Sequence, residues 1–394
     1  MAAPVMEAVE ALESHLHPTP SFEIDDHPYP KGQEEIWRFS PLRSMRAVLT
    51  DLPSDDHLEW TEHFPAGVSR RIVSTDEARG LVVEAPIDRV SALAVARSGG
   101  AYLVEVPAGA ELTEPVAITL TGSGQRVWGH VIFKVGANST ATILLRHEGT
   151  ASYGTKVDVL VGDGARLNFV SIQDWEADAV HGGHHSVLVG RDAQVRTVTV
   201  SMGGKVVRLA ETAKFDGPGG SLEQFGLYFA DAGQHIEHRL FVDHNAPHTH
   251  SNVDYRGALQ GEGARAVWIG DVLIRKVAEG ISTYESNKNL VLTDGCRADS
   301  VPNLEIETGE IEGAGHSSTT GRFDDEQLFY LRSRGISEDE ARRLVVHGFF
   351  ADIIRRIGVP AVEARLLAAV EKELEVIVGN PAAVETTKAV GAAL

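Results

Sequence analysis

The sequence predicts a mainly β protein: a flattened β-solenoid of two facing sheets, set between helical ends. Three observations carry this. From about residue 100 to 320, short Val/Ile/Leu/Thr-rich runs such as "VIFKVGANSTATILL", "VDVLVGDGARLNFV" and "SVLVGRDAQVRTVTV" are cut by glycine and aspartate turns. Within this region Gly109, Gly136, Gly162, Gly190 and Gly217 recur 27, 26, 28 and 27 residues apart. An even period of this size is expected when each repeat is one coil whose apolar face is covered only by its neighbours. Two strands and two turns fill such a repeat at ~3.3 Å per strand residue. A β-sandwich also makes short alternating strands, but it does not readily make the even spacing. After Gly217 the register loosens.

In chain order, "MAAPVMEAVEALESHLHP" lacks a basic segment and carries glutamates where a signal peptide would be apolar, so a short amphipathic helix retained in the cytoplasm is expected there. Residues 21–41 are proline-broken and irregular, and a helix is expected at roughly 88–98. Residues 1–99 thus form an N-terminal helical and irregular region, 100–322 the β core, and 323–394 a C-terminal helical domain. In the core, Val195, Thr197 and Thr199 alternate with Arg196, Val198 and Val200, with both faces mixed. The C-terminal domain opens with a helix from Asp324 to Arg334, stopped by Gly335. Ser337 and Glu340 then make a capping box for a second helix, which carries Leu344, Val345, Phe349 and Ile353 as one stripe. A third helix runs from Pro360 to before Gly379.

Composition removes several function classes. No run approaches the ~18 apolar residues of a membrane span, and 43% hydrophobic with 23% charged residues is ordinary for a soluble protein. A formal charge of −20 repels phosphate backbones and anionic lipid, which argues against nucleic acid and membrane partners. Cys296 is the single cysteine, so neither an intrachain disulfide nor a multi-thiolate metal site can form.

Candidate chemistry is sparse. There is no Walker loop, no GxSxG, no HExxH and no GxGxxG opening a helix after a strand. Eight of the 17 histidines lie between His181 and His250. His248 and His250 would share one face of a strand and could begin a metal site, although solvated loop histidines are the plainer reading. Cys296 follows a turn, where a lone thiol is more often packed as a hydrophobe than used as a nucleophile. His316 stands apart, because Gly313, Ala314, Gly315, Ser317 and Ser318 are too small to bury an imidazole. It is either a surface histidine in a turn or one that faces a ligand or a second subunit.

The stretch around His316 resembles the SufB/SufD family of iron–sulfur cluster assembly scaffolds, its SufD branch most closely. The motifs are Asn287–Leu292, "PNLEIE" from Pro302 to Glu307, "HSSTTG" from His316 to Gly321 and "DEQLFYLRSRGIS" from Asp325 to Ser337. Weaker similarity reaches back through "VPAGAELTEPVAI" to "EEIWRFSPL" and so covers most of the chain.

This resemblance implies a right-handed parallel β-helix, pairing with a SufB-type scaffold through the last strands, and docking of a SufC-type ABC ATPase on the C-terminal helices. Phe329, Tyr330, Arg334, Leu344, Phe349 and Ile353 would then bind a partner. His316 would ligate or guide transient iron or a nascent cluster, imidazole being a borderline ligand suited to iron, and no permanently bound cofactor is implied. Some SufD proteins carry a cysteine where this chain has Ala314, which would leave thiolate ligation to SufB. A second copy of this chain is the alternative partner when SufB is missing. The resemblance thus implies a non-catalytic, cytoplasmic scaffold. The rival is a β-helical carbohydrate-active or metal-dependent enzyme using the His181–His250 region.

Overall fold

The computed structural model describes residues 19–322 and 325–356, and part of 358–370. The helix expected over residues 1–18 and the third helix beyond residue 370 lie outside the described residues. The chain enters through two short 3-10 turns, Ile24–Asp26 and Glu35–Trp37, then α1 (Arg46–Leu49), β1 (Glu59–His63), β2 (Ser69–Val73), α2 (Thr75–Arg79) and α3 (Arg89–Arg97). Asp88 caps α3 by accepting from the Ser91 backbone, and the Ser91 hydroxyl faces back to the Asp88 backbone, so two of the end's unpaired donors are satisfied locally.

The core follows as β3 (Ala101–Val106), the long strands β4 (Val116–Val135) and β5 (Thr140–Val161), then β6 (Arg166–Trp175), β7 (Val180–Val189), β8 (Gln194–Met202), β9 (Val206–Phe215) and β10 (Ser221–Ala230). It continues as β11 (His235–His244), β12 (His250–Leu259), β13 (Arg265–Ile274), β14 (Ser282–Val291), β15 (Arg297–Ile306) and β16 (Gly313–Arg322). Pairing within the solenoid is parallel and skips one strand at each step. One stack runs β5-β6-β8-β10-β12-β14-β16, and the other runs β5-β7-β9-β11-β13-β15. β5 spans both, which is what two facing sheets wound from one chain require.

The glycine period marks coil corners. Gly136 donates its N–H to Val106 O and Gly162 donates to Val135 O, each closing one coil onto the one before. A Cβ on Gly136 would lie 2.4 Å from Ala108 N and one on Gly162 would lie 2.7 Å from Ala137 N, so no side chain fits where turn stacks on turn. The loosening after Gly217 is a lengthening of the coils, not an end to them. Thr140 pairs with Arg166, 26 positions on, whereas Ser221 pairs with His250 and His250 with Ser282, 29 and 32 positions on.

Alternate residues fill the space between the sheets: Leu167, Phe169, Val195, Leu222, Tyr228, Tyr255 and Trp268 are all in one buried cluster. The outward residues of the first stack are buried as well. Val198, Val200, Phe225, Leu227 and Phe229 lie under α5 (Glu338–Arg356), against Val346, Phe350, Ile353 and Ile354. That cover explains why both faces of β8 carry apolar side chains. The second stack is covered by the N-terminal region, through Trp37, Met45, Val48, Leu49 and Val90.

Two coils interlock inside the core. Gly226 pairs with Tyr255 and Gly257 with Tyr228, so each tyrosine ring lies over the glycine of the next coil. A Cβ on Gly257 would sit 1.8 Å from the Tyr228 ring. Gly257→Ala is therefore expected to destabilise the fold by about 1–3 kcal/mol through overpacking, measured as a lower urea midpoint with an unchanged slope.

Candidate functional site

In-register stacking turns each inward position into a column that runs the length of the solenoid. One column reads Ile143, Phe169, Thr197, Gln224, Val253, Glu285, His316. The next inward one reads Leu145, Ser171, Thr199, Gly226, Tyr255, Asn287, Ser318. Both mix apolar and polar residues in mid-solenoid, and both end in two polar residues, Glu285 and His316 or Asn287 and Ser318. β16 pairs with β14 and, among the described residues, has no further strand outside it, so its inward residues stand at an open end.

His316 lies in the middle of β16, not in a turn, and its side chain is 43% exposed. Behind it Glu285 is 2% exposed, with Oε1 3.9 Å from His316 Nδ1. Burial, and after it the neighbouring Asp271 charge, pushes the Glu285 carboxyl up to about 8, with the backbone N–H of Asn303 working the other way. Burial also raises Asp271, to about 6. Two residues along, β16 is tied inward: Ser318 donates to Ser300 (2.7 Å), Ser300 to Asn287 Oδ1 (2.8 Å), and Asn287 Nδ2 to the Tyr228 hydroxyl (2.9 Å). Ala314 shares the inward face and packs on the core. Cys296 is half-buried at the next turn, its Sγ 3.3 Å from Gly261 O and in contact with Thr293.

The histidines between 181 and 250 fall mainly on two strands, His181, His184 and His185 on β7 and His235, His238 and His244 on β11. His181 accepts from Trp175 Nε1 at 3.1 Å, His184 meets Thr212, His238 meets Glu211, and His244 meets Thr249 and Ser251. His248 takes left-handed backbone in a turn and His250 begins β12, so the two do not share a strand face as the spacing predicts. Among the described residues no three His, Cys, Asp or Glu side chains converge as a metal centre would need.

Beyond the solenoid, α4 (Asp325–Ser333) is followed by Gly335 with left-handed backbone, and Ser337 caps α5 by accepting from Glu340 N. Phe329 is 74% exposed and Tyr330 is 55% exposed, with the Arg334 guanidinium 4.8 Å over the Tyr330 ring. The stripe Leu344, Val345, Phe349, Ile353 needs correcting. Ile353 is buried against the chain's own sheet, Leu344 is exposed, Phe349 is half-buried, and the buried row is Val346, Phe350, Ile353 and Ile354. Apolar residues occupy so much of this helix that sequence alone does not select the arc facing the sheet. Arg256 of β12 selects it, donating to Phe349 O (2.9 Å) and to Asp352 Oδ2 (2.8 Å).

The solenoid thus presents a half-open last coil and, on an adjoining helix, exposed aromatic residues. Comparison with known proteins narrows the class. Residues 118–349 match the family described as the SUF system FeS cluster assembly, SufBD core domain, and the chain belongs to that family. An iron–sulfur cluster assembly SufBD family protein of Mycobacterium bovis is 50% identical over 365 residues, 90% of this chain and 92% of that protein. The SufD of Escherichia coli is 25% identical over 221 residues, 56% of this chain and 52% of that protein. A second SufBD family protein of M. bovis is 28% identical over 243 residues, 61% of this chain but 28% of its own length.

Two predictions follow the geometry of burial. Burial holds the imidazoles of His147 and His244 down to about 3 and that of His185 to about 4, so they are neutral when folded and protonate near 6.5 when unfolded. The unfolded chain binds the extra protons, and stability should fall as pH drops from about 6.5 towards 4, opposing the trend set by Glu285 and Asp271. His147→Phe should flatten that slope by about 1.4 kcal/mol per pH unit in urea melts across pH 4.5–6.5. Ile353→Ala should cost about 2–4 kcal/mol of stability, whereas Phe329→Ala should stay within about 0.5 kcal/mol.

Proposed function

We propose that this chain is the SufD-type scaffold of a SUF machine: it pairs with a SufB-type scaffold through its last coils, docks a SufC-type ABC ATPase on its C-terminal helices, and receives iron or a nascent cluster at His316. The observation that carries this is the position of His316, half-exposed on the terminal strand of a solenoid that ends there. A ligand-capable imidazole at that point can be shared with a second scaffold without any movement of the core. The exposed Phe329 and Tyr330 supply the aromatic anchors that a transient interface uses. Ile353 belongs to the chain's own core, so docking falls to Phe329, Tyr330, Arg334 and Leu344, with Phe349 at the margin. M. bovis carries two SufBD family proteins, one 50% and one 28% identical to this chain, which supports a pair of unlike scaffolds rather than a homodimer as the working form.

On this reading the chain is a cytoplasmic, non-catalytic subunit. Hydrolysis belongs to the ATPase, whose motion reaches the solenoid through α4 and α5. Iron is the cargo, and His316 suits it as a borderline nitrogen donor. Among the described residues no helix is long and apolar enough to cross a membrane.

The test is anaerobic co-purification with the SufB-type and SufC-type proteins of the same organism. A stable complex is expected, and His316→Ala should leave assembly intact while lowering iron bound per complex by at least about tenfold. Phe329→Ala with Tyr330→Ala should release the ATPase alone. Full iron loading of the His316→Ala complex, or ATP hydrolysis by the isolated chain, would overturn the reading.

A further inference from the structure

Glu285 is an unusual residue to find behind His316. It occupies the same inward column one coil below, 31 positions earlier in sequence. Its side chain is almost wholly buried, and Oε1 has no hydrogen-bond partner. An unpaired carboxyl oxygen in such a site is a costly exception, and a ligand is one of the things that account for such a group. The surroundings give it no cation: Gly270 of the facing sheet packs against its other oxygen, Asp271 adds charge of the same sign, and no Lys or Arg is paired with it among the described residues. The imidazole of His316 lies 3.9 Å in front of that free oxygen, and its side chain is 43% exposed to solvent.

We infer that Glu285 Oε1 and His316 Nδ1 form a two-donor site for a first-row divalent cation, entered from the open end of the solenoid and completed by water in the isolated chain. This rests on the reading of His316 as an iron-handling residue and adds a second, oxygen ligand to it. Metal–ligand bonds near ~2.1 Å in tetrahedral geometry set two donors roughly 3.4 Å apart, so the observed 3.9 Å needs a shift of about half an ångström. The half-exposed imidazole can supply that by a small rotation about its side-chain bonds. A mixed carboxylate and imidazole donor pair suits Fe(II), Co(II) and Mn(II). With two protein donors the site binds loosely, as a site that passes its cargo on must.

The experiment is an anaerobic Co(II) titration of the full chain purified alone, read by visible absorption and by equilibrium dialysis, with thermal melts to establish that each variant is folded. Wild type should bind one Co(II) that Glu285→Gln and His316→Ala each weaken by at least about tenfold, and the double variant should be little worse than either. Glu285→Asp, which keeps the carboxyl group but withdraws it, should also weaken binding, separating ligation from long-range charge. If His316→Ala weakens binding and Glu285→Gln does not, His316 stands as a metal residue and the inference about Glu285 falls. If Glu285→Gln alone weakens binding, or if the two losses simply add, the paired site is wrong. If wild type binds no Co(II) that depends on either residue, the inference falls too. Iron loading of the assembled complex then tests the scaffold reading separately.

Discussion

Parallel, in-register hydrogen bonding from coil to coil is the constraint on which the rest of this structure depends. Once Thr140 is set against Arg166 and Arg166 against Gln194, each inward position is committed to one column and each outward position to one face. A slip of one residue would send the whole column outside. The consequences are visible at both scales. Locally, Tyr228 and Tyr255 each require glycine in the neighbouring coil. Globally, the column that begins with Ile143 and Phe169 ends in Glu285 and His316, so the site at the end of the solenoid is built by the same ladder that builds its core.

A flattened solenoid has two broad outer faces, and this chain covers them by different physics. The first stack meets α5 through aliphatic and aromatic side chains, a contact that tolerates sliding because it is non-directional. Arg256 supplies the missing direction through Phe349 O and Asp352. The second stack meets the N-terminal region through buried charge. Arg208 donates to Asp88 (2.7 Å) and to Ile36 O (3.0 Å), its guanidinium lies 3.9 Å over the Trp37 ring, and Ser40 joins it to Glu237. Burial would raise the carboxyls of Asp88 and Glu237; Arg208 holds Asp88 below the ordinary range, and His235 together with Arg208 holds Glu237 near 2. A second group joins Lys156, Asp158 and His130, with Val83 N donating to Asp158 at 2.9 Å. Buried ion pairs contribute little net stability once desolvation is counted, but an unmatched one is strongly unfavourable, so such networks fix orientation. The N-terminal cover is thus locked in one pose.

The open end is where these economies stop. Deeper in the core Glu211 shows what a matched carboxylate looks like: it accepts from Tyr255 (3.0 Å) and Thr199 (2.6 Å) and lies 3.1 Å from His238. Glu285 combines a free oxygen with a place one coil from solvent. Of the histidines that drew attention in the sequence, His181, His184, His238 and His244 each have a hydrogen-bond partner in the interior.

How much of this could be read from the sequence follows from the range of the forces involved. Local signals were sufficient where structure is local. The glycine spacing marked the corners because turn backbones touch there, α3 fell close to its expected bounds because Asp88 and Ser91 cap it, and the α4–α5 boundary was written in Gly335 and Ser337. The family motifs around His316 were equally legible, being contiguous. Register after Gly217, the buried arc of α5 and the partner of His316 were not, because each is decided by residues far apart in the chain. Arg256 and Phe349 are 93 positions apart, and Ser40 and Glu237 are 197. By itself the sequence determined a repeating β-solenoid with helical ends and a histidine near its last coil. Only the tertiary structure decided which coil Glu285 joins and hence what stands behind that histidine, because a column in a solenoid is set by inter-coil hydrogen bonding and not by any pattern within one coil.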